Sequence, residues 1–129
     1  MWHNNLLNVA LWICQILLAI VFGYSGLMKS TKTEKELVVM GQTGVENLPQ
    51  SLIRFIGIAE ILGTFGIILP WLTGILPILT PIAAICFGII MILASIVHFR
   101  RDEKMTALMN LFLLLFCPFV AYGRFASLS

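Results

Sequence analysis

Tyr24, Ser25, Lys29, Arg54, Glu60, His98 and Asn110 are the side chains best suited to bind a ligand or move a proton, and all lie in or beside strongly apolar runs. Glu60 anchors the set. It falls inside FIGIAEILG, residues 55–63, where a carboxylate in a membrane helix costs about 3 kcal/mol and cannot easily reach the headgroups. The eleven Leu, Ile and Phe residues of the whole apolar run 52–69 gain about 5 kcal/mol together, so the segment inserts with little surplus. Glu60 must therefore turn toward other protein groups. Arg54 is six positions upstream, about 120° around the helix, and is a poor same-face partner. Lys29 and His98, from other segments, are the expected cations. A carboxylate beside such a cation can exchange a proton with a bound molecule, while the cation polarises a carbonyl. The simpler roles are a structural ion pair for Glu60, snorkelling for Lys29 and Arg54, an interfacial position for His98, and interhelical hydrogen bonds for Ser25 and Asn110.

The surrounding composition dictates how such residues can be positioned. The chain has 129 residues, 60% hydrophobic and 11% charged, with a mean hydropathy of +1.01. Soluble domains are about 45–50% apolar and about 25% charged. An integral membrane protein is expected. Apolar runs at residues 9–28, 52–69, 78–97 and 105–122 each approach the roughly 20 helical residues that cross a bilayer. None alternates like a barrel strand, so the expected fold is an all-α integral membrane four-helix bundle forming a single domain over residues 1–129. The first run lacks a basic leader and an A-x-A-like cleavage site, so it is expected to be a span and not a removed signal.

Charge sets the expected orientation. Lys29, Lys32, Lys35, Arg54, Arg100, Arg101 and Lys104 fall on one side of a four-span bundle, against Arg124 on the other. Basic loops stay cytoplasmic, which puts both termini outside, in the periplasm if the membrane is a bacterial inner membrane and in a lumen otherwise. Trp2, Trp12 and Trp71 lie toward the outer ends, as an aromatic belt would. In the first loop, Thr33 and Glu36 match a capping box and Gly41 a helix end, predicting a short interfacial helix. In the second loop, Pro70 is expected to close its helix and Thr80 to cap the next.

Ala19-xxx-Gly23, Ala59-xxx-Gly63 and Ala84-xxx-Gly88 are spaced for close helix packing. Cys14, Cys86 and Cys117 lie singly within spans and read as inert packing residues. There is no metal-ligand spacing, phosphate loop or nucleophile–base motif, and a net charge of +2 gives no reason to expect nucleic acid. The polar set instead maps to the basic half of the bundle or its midplane, whereas the outer half offers little beyond Gln15 and Thr64.

GYSGLMK at 23–29, IRFIGIAEILGTFGIILP at 53–70, LTPIAAICFGIIMILASIVHFRRDE at 79–103 and VAYGR at 120–124 resemble the DoxX-like family over essentially the whole chain. The resemblance implies a small four-helix bacterial membrane protein in which Lys29, Glu60 and His98 match recurrent positions. The family takes its name from a small subunit of an archaeal thiosulfate:quinone oxidoreductase, and distant animal relatives look like assembly or cargo factors. Two functions are therefore expected candidates. One is a quinone- or lipid-binding subunit of a membrane redox system, supplied with electrons by a soluble or membrane partner and not a self-sufficient enzyme. The other is a noncatalytic scaffold that contacts membrane lipids, a partner or a second copy of itself.

Overall fold

A computed structural model describes residues 2–128, with side chains described from Leu6 onward. Helix α1 runs Trp2–Thr31, α2 Glu34–Val39, α3 Gln50–Thr73, α4 Leu79–Arg100, α5 Lys104–Leu114 and α6 Phe116–Ser127. Four spans long and apolar enough to cross a membrane result: Leu6–Thr31, Gln50–Thr73, Leu79–Arg100 and Lys104–Ser127. The all-α four-helix bundle expected from the sequence is what forms. Helix α1 packs along α3, α3 on α4, and α4 on both α5 and α6, while α6 closes back onto α1.

Two prolines behave differently from each other. Pro70 does not end its helix. The helix continues to Thr73 and stops at Gly74, whose φ of 75° suits a residue without Cβ. A proline removes the bond its N–H would give to the carbonyl four residues back, here Gly66. That carbonyl accepts from Thr80 Oγ1 at 3.1 Å. Thr80 therefore lies within α4 and repairs α3, and is not the helix cap expected from its place before Pro81. Pro118 has no such repair among the described residues: the carbonyl four back belongs to Leu114, the last residue of α5, and the hydrogen-bond ladder of the fourth span is interrupted at Leu115, whose φ of −61° and ψ of −28° keep the backbone helical.

The main core lies where α1, α3, α4 and α6 converge, with Leu18, Phe22, Ile67, Ala84, Phe87, Cys117 and Val120 buried. A Cβ on Gly63, of the Ala59-xxx-Gly63 pair, would stand 2.5 Å from Phe87 Cε1, but the closest approach of one helix backbone to another is not made by the pairs at Gly23, Gly63 or Gly88. It is Gly26 of α1 against Gly57 of α3: a Cβ on Gly26 would stand 2.8 Å from the Gly57 carbonyl oxygen, and one on Gly57 2.8 Å from Ser30 N. Helix α2 forms as expected. Thr33 Oγ1 accepts from Glu36 N at 3.2 Å, and Glu36 Oε1 accepts from Thr33 N at 3.0 Å. Its Leu37 is fully buried in a second small core with Val45 and Ile53, so the helix folds onto the end of the bundle through its own apolar side chain.

The half opposite the basic loops is more polar than expected. Arg124, the one basic residue assigned to that side, is 1% exposed. Its Nε donates to Gln15 Oε1 at 2.6 Å and its Nη1 to Asn8 Oδ1 at 2.9 Å. Gln15 in turn donates to the Ile67 carbonyl at 2.7 Å. The guanidinium carbon lies 4.6 Å from the Trp71 ring centroid and 5.5 Å from that of Trp12. The two indole faces stabilise a cation whose Nη2 has no hydrogen-bond partner. These two tryptophans thus serve the interior as well as any aromatic belt; the Trp2 side chain lies outside the described residues. The Arg124→Ala variant should lose about 2–4 kcal/mol, through lost cation–π contacts and two unpaired amides. Thermal unfolding in detergent checks this, and a melting temperature equal to wild type would contradict it.

Candidate functional site

Glu60 sits on the buried face of α3, 1% exposed. Two groups from α1 meet it, because Ser25 and Lys29 are four apart and project from the same helix face. Ser25 Oγ donates to Glu60 Oε1 at 2.9 Å, and Lys29 Nζ lies 3.2 Å from Oε1 and 3.4 Å from Oε2. The close approach of Gly26 and Gly57 one turn away lets the lysine reach its partner. Lys29, rather than His98, is therefore the cation on Glu60. Charges brought together in an apolar medium attract strongly, which offsets part of the desolvation of each.

This pair forms one wall of a cavity of about 470 Å³, within the range of small-molecule sites. Tyr24, Ser25 and Lys29 of α1, Glu60 of α3, His98 of α4 and Asn110 of α5 all line it. Asn110 is half-buried and no side-chain hydrogen bond to it is found among the described residues. Its amide is free to meet a ligand. Tyr24 is 57% exposed and stands at the rim. Arg54 lies apart from the cavity. Its Nη1 donates to the carbonyls of Lys29 and Lys32 at 2.8 and 2.6 Å, so it caps the end of α1 and holds the backbone that carries Lys29.

The basic end of the cavity is covered by the segment after α2, where Gly41, Gln42, Gly44, Val45 and Leu48 contribute to the lining. One ion pair, Arg101 to Glu46, ties that cover to a small network at the end of α4. His98 Nδ1 lies 2.7 Å from Glu103 Oε1; Arg101 Nη2 lies 2.7 Å from Glu46 Oε1, and Arg101 Nε 3.4 Å from Glu103 Oε1. A Cβ at Gly44 would stand 3.4 Å from His98 Cε1, so the covering loop rests against the imidazole. The bond from His98, helped by Thr43 and Arg101, holds the Glu103 carboxyl below its ordinary range. An ionised carboxylate only accepts, so Nδ1 is the donor and Nε2 is directed toward the loop side.

Sequence reasoning missed Thr106 and Gln42 in the lining, Glu103 as the partner of His98, and the Arg124 cluster. Thr106 and Asn110 are four apart on one helix face, as are Asn8 and Trp12 with Gln15 three further on. That alignment of polar groups within apolar runs was the available signal.

Glu103 and, through the Thr33 backbone and hydroxyl, Glu36 are both held below the ordinary carboxylate range. A lowered folded-state value contributes stability above the unfolded value of about 4.3, and the contribution is lost as pH falls through the lowered one. The cover over residues 33–48 should therefore loosen below about pH 4 while the bundle persists. Hydrogen exchange read peptide by peptide checks this; equal protection of 33–48 at pH 7 and at about pH 3.5 contradicts it.

No curated protein and no solved structure matches the chain. The pattern of the DoxX-like family matches residues 13–120, a region that contains Lys29, Glu60, His98, Asn110 and the whole cavity lining. The chain is an integral membrane protein of the DoxX-like family.

Proposed function

We propose that the protein is a ligand-binding subunit of a membrane redox system, holding a quinone or a lipid in the cavity beside Glu60. The observation that carries this reading is a paired Lys29–Glu60 wall facing an unpartnered Asn110 amide across about 470 Å³ of space. Asn110 and the rim Tyr24 supply hydrogen bonds that orient a ligand oxygen. Glu60 exchanges a proton with it, and Lys29 compensates the carboxylate between transfers. His98, tied to Glu103, continues the polar path toward the basic end. Electrons come from a soluble or membrane redox partner, for which the basic loops offer a docking face. With those loops cytoplasmic and the protein in a bacterial inner membrane, the cavity belongs to the cytoplasmic half. The burial of Arg124 supports this orientation, because the opposing charge is withdrawn from the outer surface.

A second reading has its own observation. Glu60 is already satisfied by Ser25 and Lys29, as a purely structural pair in a scaffold would be. The Glu60→Gln variant separates the two, since an amide keeps an oxygen for both donors. The uncompensated Lys29 lowers the melting temperature under either reading, but under the ligand-binding reading the folded variant also loses the quinone or lipid that copurifies in mild detergent, as seen by native mass spectrometry. A lower melting temperature with unchanged copurification favours the scaffold.

A further inference from the structure

The cavity is roofed at its basic end by the segment after α2, and on its flank between α1 and α5 its lining residues are exposed. In the half nearer Arg124, α6 packs on α1; in the basic half α5 makes no comparable packing with α1 and lies instead along α4. A gap is left, and the cavity lies behind it. Tyr24 of α1, Leu93 of α4 and Thr106 of α5 line the cavity and are exposed, Tyr24 at 57% and Leu93 at 58%. Residues exposed on a membrane span face lipid. Phe22 lines the floor and is backed by Phe87, stacked on it with centroids 3.8 Å apart, and the segment Gly41–Leu48, clamped by Arg101–Glu46, roofs the basic end.

The charges inside are balanced. Lys29 and Glu60 neutralise one another, Arg54 is committed to backbone carbonyls outside the lining, and His98 is tied to Glu103. What remains facing the space is an amide on Asn110, an amide on Gln42, and the hydroxyls of Tyr24 and Thr106. A phosphate or an ammonium finds no spare opposite charge there, and an unpaired charge in such a site is costly. A carbonyl or hydroxyl finds donors and acceptors.

Building on the ligand-binding reading above, we propose that this site takes an amphiphile with an uncharged oxygen-bearing head, and that it loads sideways from the bilayer through the gap between α1 and α5. The head lies between Glu60 and Asn110, and the tail leaves past Leu93 and Tyr24 into the acyl layer.

Diazirine-bearing hexadecanol, hexadecyl phosphate and butanol test this in phosphatidylcholine vesicles holding the full chain, with crosslinks located by peptide mass spectrometry. Hexadecanol should label peptides carrying Glu60 or Asn110 about tenfold or more above hexadecyl phosphate and above tailless butanol. Equal or stronger labelling by the phosphate overturns the uncharged head, and equal labelling by butanol overturns the tail. The Leu93→Trp variant, which bulks the rim, should slow hexadecanol labelling about tenfold, while Glu46→Gln, which releases the roof, should leave its rate unchanged. If Leu93→Trp does not fold, Val97→Trp at the same rim replaces it. A faster rate in Glu46→Gln, or an unslowed rate in the folded rim variant, overturns sideways loading. Labelling of these peptides by no probe at all in wild type would sink the ligand-binding reading itself, a result distinct from the others.

Discussion

A single acid in an apolar helix constrains much of this structure. Once Glu60 is placed in α3 it must be met, and the groups that meet it come from one face of α1. Bringing Ser25 and Lys29 within reach requires the two backbones to touch, which Gly26 and Gly57 permit. Arg54 then takes up the carbonyls at the end of α1, a position that becomes available because α1 already lies against α3. The α1–α3 contact is thus fixed by polar satisfaction as much as by packing. In lipid this is the expected source of specificity, because apolar side chains gain little by leaving acyl chains for one another.

The opposite end solves a related problem by other means. Arg124 has no carboxylate partner among the described residues and is held by two side-chain amides and two indoles. An amide can donate and accept at once, so Gln15 joins α6 to the α3 backbone through α1. Three of the four spans meet at this one side chain. The basic end has a dense carboxylate–cation network instead, and it is where the bundle opens. Closure and opening are therefore segregated to the two ends.

The spans and the short capped helix were legible because their signals are local: run length for the bilayer, and Thr33 with Glu36 for the cap. The membership of the cavity was partly legible. Depth along each helix put Lys29, Glu60, His98 and Asn110 in the same half, but depth does not give azimuth, and Arg54 at similar depth turned to the backbone. The two prolines mark where local reading fails. Whether a proline ends a helix depends on a distant donor for the orphaned carbonyl. Thr80 supplies it for Pro70, whereas the span breaks ahead of Pro118. The burial of Arg124 was not legible for a similar reason: its hydrogen-bonding partners are more than a hundred residues away in the chain, and a charge near a span end ordinarily stays in the interface.

The break at Leu115 also has a mechanical meaning. Helix α6 is anchored on α1 through Arg124, and α5 extends from it as an arm of 11 residues, about 16 Å long. A change of about 10° at the break would move the far end of that arm by about 3 Å, comparable to the width of a methylene chain. The ladder hydrogen bonds within either segment need not change, and the Arg124 cluster lies beyond the pivot. What fixes the angle of that arm is its packing along α4, the helix that also brings His98 to the cavity.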